Sequence, residues 1–399
     1  MRHVPMKSLL TLLCSLTFLA GAHAAEPIRI GVSGPFTGTS APMGVSMRDG
    51  VRLAAEALNR SGGVLGRPIE LVERDDEGRN ERGVQVAQEL IGRERVIATV
   101  GYINTGVALA SQRFYQQARI PVITNVATGS LITRQFADAG ENYIFRNAAS
   151  DEIQVPLMVE EALVRRGLRR LAIFADSTNY GQIGRQRLEQ ELARRGVQPV
   201  AVEKFNLRDM DMTAQLLRAR QAGAEAIFTY GIGSDLAQVV NGMTRLGWKV
   251  PLIGSWTLST GSFIDNAGAG GEGASMPQTF LQDDPAPQRA AFVANYLRRF
   301  QPKNGRIDAP AAAAQGHDSL RLLAAAIAQA GSTEGPRIKA ALEHLQAPVE
   351  GAIATYHRPF TPDDHEAIKT GMARICEVVA GRVQGQRAPS LVTAAARLR

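Results

Sequence analysis

The sequence predicts an α/β protein made of two doubly wound parallel-sheet lobes, and three observations lead to this prediction. Short runs of β-branched and apolar residues alternate with longer stretches in which apolar residues recur every three or four positions. Strands that alternate with helices in this way form parallel sheets covered by helices on both faces. The alternation also starts again near residue 150, so the 399 residues hold two such units.

The first series of elements occupies residues 28–124. Residues 28–32 are predicted as a strand because Ile28, Ile30 and Val32 are β-branched. Residues 47–58 are predicted as a helix because apolar residues stand at 47, 51, 54, 55 and 58. The same two patterns then predict a strand at 69–72, a helix at 81–91, a strand at 96–100, a helix at 107–117 and a strand at 120–124.

The second series and the elements after it follow the same alternation. The predicted helices are 152–165, 183–194, 213–221 and 236–246, and the predicted strands are 170–175, 200–202, 226–230 and 250–253. Later helices are predicted at 287–300, 309–330 and 337–345, and the Ala-rich start of the second of these indicates close packing on a neighbour. One late strand is expected within 372–383, and residues 386–399 are predicted to be a C-terminal tail.

The N-terminus has the pattern of an export signal. Arg2 and Lys7 precede an almost wholly apolar run over 9–19, and the sequence Ala22-His23-Ala24 matches a signal-peptidase site. The run is too short for a membrane helix, and no later apolar run approaches the roughly 20 residues that such a helix needs. We therefore expect residues 1–25 to be a cleaved signal peptide and the mature protein to lie in the periplasm.

Composition and charge exclude several classes of function. The 45 Lys and Arg residues exceed the 38 Asp and Glu residues, but they form no long basic run, so nucleic-acid binding is not expected. The two cysteines exclude a disulfide-dense scaffold and a cysteine-based zinc site, and Cys376 is predicted to be a buried, inert thiol. No nucleophile, base and orienting group stand at suitable spacing, so we expect neither enzyme activity nor a metal or cofactor. A monomer is the default expectation.

The loops that follow the strands are the most informative, because a ligand of an open α/β sheet binds beyond the carboxyl ends of the strands. The loop 33–45 is rich in Gly and Pro but lacks the Lys that ends a phosphate-binding loop. Gly231 and Gly233 have the first spacing of a dinucleotide-binding loop, but its third glycine is missing. Neither loop therefore predicts a nucleotide site.

The loops after the third and fourth strands instead indicate a site for a carboxylate. Each carries small polar residues and is expected to lead into a helix, whose N-terminus favours an anion. The hydroxyls of Thr105 and Thr128 are candidate contacts, and Tyr102 and Asn104 lie in the first of these loops. The alternative is that both threonines only cap helices.

Six short motifs occur in a characteristic order: IGVSGPFTG at 30–38, NRSGGVLGR at 59–67, DD at 75–76, IPVI at 120–123, NYG at 179–181 and DMT at 211–213. Through these motifs the chain resembles the periplasmic branched-chain-amino-acid-type, or leucine-binding-protein-like, substrate-binding proteins over about residues 27–360. The resemblance implies a type I periplasmic binding protein, in which two lobes joined by a three-stranded hinge close on a solute. It also implies two partners, a small-molecule solute and an inner-membrane ABC permease that receives it.

The resemblance further implies where the lobes divide. The crossings are expected near 147–151, 255–275 and 350–360. Lobe one then comprises residues 26–148 and 275–355, and lobe two comprises residues 149–274 and 356–385.

Four residues match ligand-binding positions of the family. Thr105 corresponds to a hydroxyl residue that holds the ligand carboxylate, and Ala127 and Thr128 correspond to the next loop, which binds the α-carboxylate and the amino group. Tyr180 corresponds to an aromatic residue of the second lobe that closes over the ligand. The alternative for Tyr180 is a role as a core aromatic.

One departure from the family concerns the ligand itself. Amino-acid-binding members carry an acid in the loop after the last strand of lobe two, where it pairs with the ligand ammonium, and Trp256 takes its place here. A buried ammonium without a counter-charge is costly, so the expectation shifts slightly from an aliphatic amino acid to an aromatic acid or an amide. Trp256 then stacks on the ligand, or alternatively packs at the hinge. A sensor that docks to a signalling receptor is the alternative to transport.

Overall fold

The computed structural model describes residues 26–386. The predicted signal peptide at 1–25 and residues 387–399 of the predicted tail lie outside the described residues. No helix within 26–386 is both long and apolar enough to cross a bilayer.

The first sheet has five parallel strands in the order β2-β1-β3-β4-β5. Strand β1 pairs with β2 on one side and with β3 on the other, so that Ile30 lies opposite Leu71 and Ala98. The strands are β1 (Ile28–Gly34), β2 (Ile69–Asp75), β3 (Ala98–Gly101), β4 (Val122–Thr124) and β5 (Ile144–Arg146), and the helices between them are α1 (Ala41–Arg60), α2 (Asn80–Gln88) and α3 (Thr105–Ala118).

The second sheet has seven strands in the order β14-β13-β10-β9-β8-β6-β7, of which the last five are mutually parallel. The strands are β6 (Leu171–Asp176), β7 (Ala201–Phe205), β8 (Ala226–Tyr230), β9 (Leu252–Gly254), β10 (Ser275–Gln278), β13 (Arg374–Val379) and β14 (Arg382–Gly385). The helices before β10 are α4 (Asp151–Glu160), α5 (Asn179–Arg194), α6 (Thr213–Gln221), α7 (Gly233–Arg245) and α8 (Gly261–Ala267).

The chain between β10 and β13 returns to the first sheet. It forms α9 (Pro287–Phe300), α10 (Pro310–Ala330), α11 (Gly335–Glu343) and the short hairpin β11 (Val349–Glu350) and β12 (Thr355–Tyr356). The Ala-rich start of α10 packs closely on α1, as predicted. A Cβ at Gly50 would lie 1.9 Å from the carbonyl oxygen of Ala313, so only glycine permits this approach.

Two doubly wound lobes with parallel sheets confirm the predicted fold class. The predicted helices and the strands of both series are all present, although their ends differ by a few residues. Five of the elements named above were not predicted: β5, β10, α8 and the hairpin strands β11 and β12. The predicted late strand is instead a hairpin, because Ala380 and Gly381 both have positive φ (50° and 69°), as a two-residue turn of this kind requires.

Strand pairing moves two of the expected lobe boundaries. Residues 275–278 form β10 between β9 and β13, so they belong to the second sheet rather than to the first lobe. Glu366 makes a parallel bridge with Arg146 at the edge of the first sheet, although it was assigned to the second lobe. The second and third crossings therefore come later in the chain than expected, and the rest of the division stays a prediction.

Candidate functional site

The loops that follow strands of the two sheets meet each other. Arg208, after β7, donates from Nε to Thr39 Oγ1 in the loop after β1, at 3.3 Å. The first turn of α3 lies against the first turn of α5, since a Cβ at Gly106 would come within 2.6 Å of Asn179 Oδ1. The carboxyl ends of both parallel sheets thus border one interlobe region, where the sequence predicted a ligand.

The main chain at Thr128 and Gly129 is fixed by three other elements, and we call these two residues the ligand loop. The N–H of Gly129 donates to Thr105 Oγ1 at 3.3 Å, and its carbonyl accepts from Arg146 Nη1 at 2.7 Å. The carbonyl of Thr128 accepts from the N–H of Asp151, the first residue of α4, at 2.9 Å. These three bonds hold the main chain of the ligand loop in one conformation.

Two side chains beside this rigid main chain have polar groups without a partner. The hydroxyl of Thr128 is buried and makes no well-formed hydrogen bond within residues 26–386, although it lies close to the Asp151 carboxyl, and neither amide atom of Asn125 has a partner in that range. Thr105 accepts from Gly129, so its own hydroxyl hydrogen remains available to an acceptor. Because a buried unpaired polar group costs about 1–3 kcal/mol, these groups favour a ligand that pairs with them.

A buried acid lies next to the ligand loop. Asp151 is fully buried, and its Oδ1 accepts from the hydroxyl of Tyr230 at 2.8 Å. Its Oδ2 has no partner in the described part of the chain. Burial raises the pKa of Asp151 to about 6, while the nearby hydroxyls of Thr128 and Tyr230 oppose this rise. The carboxylate is thus ready to pair with a positive group.

Tyr180 lies in the wall behind Asp151. Its ring packs on that of Tyr230 with the centroids 5.1 Å apart, and its hydroxyl is 2.5 Å from Ser255 Oγ. Ser255 Oγ is in turn 3.0 Å from Thr257 Oγ1, which donates to the carbonyl of Gly231. Burial raises the pKa of Tyr180 above its usual range, and the charge of Asp151 adds to the rise. Both roles considered for Tyr180, core aromatic and cleft wall, fit this position.

Trp256 is anchored through its main chain to α4 and to the end of β10. Its N–H donates to Gln154 Oε1 at 3.0 Å, and its carbonyl accepts from Gln278 Nε2 and Ser259 Oγ at 3.1 and 2.7 Å. The side chain is 9% exposed and belongs to the buried cluster that also contains Tyr180 and Tyr230. These contacts fit the hinge-packing alternative, and the ligand-stacking role stays a prediction.

Three other predicted site residues point elsewhere or act through the main chain. The Tyr102 hydroxyl donates to Tyr115 at 3.1 Å inside a separate core cluster, which also contains the Ala127 side chain. The N–H of Ala127 donates to the carbonyl of Tyr102 at 3.0 Å. Asn104 donates to Ser40 Oγ at 3.1 Å. The structure therefore brings together Thr105, Thr128 and the wall around Tyr180, but not the side chains of Tyr102 and Asn104.

The expectation of two helix N-termini at the site is half right. α3 begins at Thr105, but a series of turns over 130–138 follows the ligand loop in place of a helix. The capping alternative does not hold for Thr105, because the N-cap of α3 is Asn104 and the Thr105 hydroxyl accepts from Gly129 instead.

Sequence reasoning missed Asp151 and Tyr230. Asp151 follows β5, a strand of only three residues that was not predicted, so the loop after it was not among the predicted ligand loops. Tyr230 is the last residue of β8, and its position at the carboxyl end of a strand, with a hydroxyl on its side chain, could have indicated a site residue. Among residues 26–386, no group of three or more His, Cys, Asp or Glu is placed to hold a metal ion.

Two α/β lobes whose strand ends enclose a polar, partly unpaired site define a two-lobed binding protein. A model of the family described as periplasmic binding protein matches residues 27–382. The chain belongs to this family, whose members are leucine-binding-protein-like substrate-binding proteins of the periplasm and not enzymes, as the resemblance predicted.

Three relatives give the degree of similarity. The Leu/Ile/Val-binding protein homolog 3 of Brucella melitensis biotype 1 is 26% identical over 350 residues, which are 87% of this chain and 92% of that protein. A periplasmic binding protein type 1 from Bordetella pertussis Tohama I is 26% identical, with a TM-score of 0.81 over 91% of this chain and 100% of that one. A solute-binding protein of an ABC transporter from R. palustris, in complex with 4-hydroxybenzoate, is 21% identical, with a TM-score of 0.77 over 91% and 96% of the two chains. This last likeness shows the fold alone.

Proposed function

We propose that the protein binds an α-amino acid between its lobes and delivers it to an ABC permease of the inner membrane. The observation that supports this most directly is the Asp151 carboxylate, which is buried beside the ligand loop and has one oxygen without a partner in the described chain. Asp151 would supply the counter-charge for the ligand ammonium that the loop after β9 lacks. The proposal therefore reverses the slight preference for a solute without an amino group.

The neighbouring donors and acid suit a zwitterion. The hydroxyls of Thr105 and Thr128 are donors for a carboxylate, and Asp151 is the acceptor for an ammonium beside it. An α-amino acid carries these two charges on adjacent groups. A plain carboxylic acid would bring a second negative charge next to Asp151 in a buried site, where like charges repel strongly.

The fold itself does not choose between the two ligand classes. The Brucella relative is named for leucine, isoleucine and valine, and the R. palustris protein holds 4-hydroxybenzoate on the same fold. The choice therefore rests on the side chains at the site, as it does for other widely used folds.

We propose that the lobes close on the ligand and that contacts between their loops stabilise the closed form. The bond from Arg208 to Thr39 and the approach of Gly106 to Asn179 both join the two lobes. A ligand that touches the ligand loop on one side and Asp151 on the other adds to these contacts and shifts the population toward the closed form.

A thermal-shift panel tests the ligand class. The mature protein, from residue 26, is unfolded and refolded to remove any carried ligand, then mixed with aliphatic and polar amino acids, aromatic carboxylates and amides. A ligand at about 1,000 times its Kd adds about 4 kcal/mol, which moves the Tm by several degrees. A shift with amino acids supports the proposal. A shift only with compounds that lack an α-amino group rejects it.

Delivery to a permease is tested by uptake of the radiolabelled amino acid. Deletion of the gene for this protein is expected to abolish high-affinity uptake, and the wild-type gene is expected to restore it. Unchanged uptake together with a lost response to the same compound would favour the sensor alternative.

A further inference from the structure

A buried arginine lies directly behind the ligand loop. Arg146 is the last residue of β5, and its side chain is 1% exposed. Its Nη1 donates to the carbonyl of Gly129 at 2.7 Å. Since Thr105 accepts from the N–H of the same glycine, both main-chain polar groups of Gly129 are held by side chains.

The same guanidinium also holds the chain where it leaves the first sheet for β13, and we call residues 365–373 the third interlobe segment. Arg146 Nε and Nη2 donate to the two carboxylate oxygens of Glu366 at 2.7 and 2.5 Å, the parallel geometry that suits a guanidinium and a carboxylate. The main chain of Arg146 pairs with the same segment. Its N–H donates to the carbonyl of His365 at 2.9 Å, and its carbonyl accepts from the N–H of Ala367 at 2.8 Å. Glu366 further accepts from Thr133 Oγ1 at 2.6 Å, just beyond the ligand loop.

Glu366 thus stands between the ligand loop and the second lobe. The chain continues from Ala367 to β13, which begins at Arg374 and pairs with β10 in the second sheet. We infer that Arg146 and Glu366 form a positioning pair, through which the third interlobe segment fixes the ligand loop and sets the affinity for the ligand. This inference rests on the proposed function, because it takes Thr128 and Gly129 as the ligand loop.

Two features separate this pair from an ordinary structural ion pair. Three nitrogens of one guanidinium bind three oxygens, one of which belongs to the ligand loop itself, so a point-charge cation could not replace it. The charge of Arg146 also reaches the site, where it favours the ionised form of Asp151. A substitution of Glu366 would therefore affect the site through Arg146, although Glu366 does not contact the ligand loop itself.

The chain offers a matched control. Arg52 makes the same two-bond contact with Glu73, at 2.6 Å for each bond, in the same lobe. The Glu73 side chain is 22% exposed, against 21% for Glu366. Glu73→Gln removes an ion pair of the same two-bond geometry that touches neither the ligand loop nor the third interlobe segment, although its arginine is more exposed (37% against 1% for Arg146).

The experiment compares Glu366→Gln with Glu73→Gln by two readouts. In the ligand-free protein, amide exchange of Gly129 and Asp151 is expected to become about tenfold faster in Glu366→Gln and to stay within about twofold of wild type in Glu73→Gln. The Kd for L-leucine is expected to rise about tenfold in Glu366→Gln alone. Thr133→Val, which removes one bond to Glu366, is expected to act in the same direction and keeps the test available if Glu366→Gln does not fold.

The inference is overturned if the two amides exchange at the wild-type rate in folded Glu366→Gln and Thr133→Val proteins, or if Glu73→Gln accelerates them equally. The exchange readout needs no ligand. A wild-type protein that binds no amino acid therefore counts against the proposed function, while the exchange rates still decide whether the pair positions the loop.

Discussion

Replacement of Asp151 by Asn is the substitution with the sharpest expected effect. Asn keeps an oxygen that accepts from Tyr230, so the 2.8 Å bond inside lobe two is preserved. It removes the charge proposed to pair with the ligand ammonium. Loss of one partner of a buried charge pair costs about 2–5 kcal/mol, which corresponds to a rise in Kd of about 30-fold or more.

The same substitution is expected to stabilise the ligand-free protein. Burial raises the pKa of Asp151 from 3.8 to about 6, so the ionised form carries a cost in the folded state at pH 7. This rise in the pKa of Asp151 corresponds to a cost of roughly 3 kcal/mol at most, which is absent when Asn replaces the acid. Asp151→Asn should therefore bind more weakly and yet melt at a higher temperature, a combination that simple structural damage does not give.

Asp76→Asn is the control. Asp76 is equally buried and burial raises its pKa to about 6, but both of its oxygens already accept, from Ser33 Oγ and from the N–H of Gly78. Isothermal titration at pH 7.5 with the amino acid selected by the thermal-shift panel measures Kd, and melting without ligand measures stability. Equal affinity of wild type and Asp151→Asn would refute the role given to Asp151, as would an equal loss of affinity in Asp76→Asn.

Three further predictions concern pH, packing and thiol reactivity. Ligand affinity should fall as the pH drops below about 6, by up to about tenfold per pH unit. The reason is that the ligand ammonium pairs only with ionised Asp151, and ligand binding therefore lowers the pKa of that group. A constant Kd in titrations between pH 5 and 8 would contradict this prediction. Gly50→Ala should lower the Tm by several degrees, since its Cβ would lie 1.9 Å from the Ala313 carbonyl oxygen, whereas Gly92→Ala, which meets nothing within 4 Å, should leave the Tm nearly unchanged. Cys376 is buried with a pKa raised to about 11, so it should react with a thiol reagent only after denaturant is added, and rapid labelling of the native protein would show that its burial is misjudged.

The fold could be predicted from sequence because its elements are long and periodic. Helix 213–221, strand 226–230 and helix 287–300 match the structure to the residue, since apolar spacing and turn residues mark both of their ends. The missed strands β5 and β10 have three and four residues, and Pro277 within β10 argues against a strand in any sequence-based reading. Their place is decided by pairing with other strands, and the failure to predict β10 placed the second lobe boundary too early.

The site was predictable only in part. Thr105 and Thr128 follow from their position after strands of a parallel sheet, which sequence patterns reveal. Asp151 stands at the start of a helix, where an acid ordinarily favours the helix dipole, and its full burial against Tyr230 depends on tertiary packing. Tyr102 was misleading for the same reason, because only the folded chain directs its hydroxyl to Tyr115 and away from the ligand loop.

The most direct test of the proposed ligand class compares two ligands that differ only in the amino group. The refolded wild-type protein is titrated with the amino acid that gives the largest thermal shift and with the carboxylic acid of the same carbon skeleton. Pairing of the ammonium with buried Asp151 predicts that the amino acid binds at least about 30-fold more tightly. Equal or tighter binding of the acid without the amino group would contradict the account and restore the aromatic acid or amide as the expected ligand.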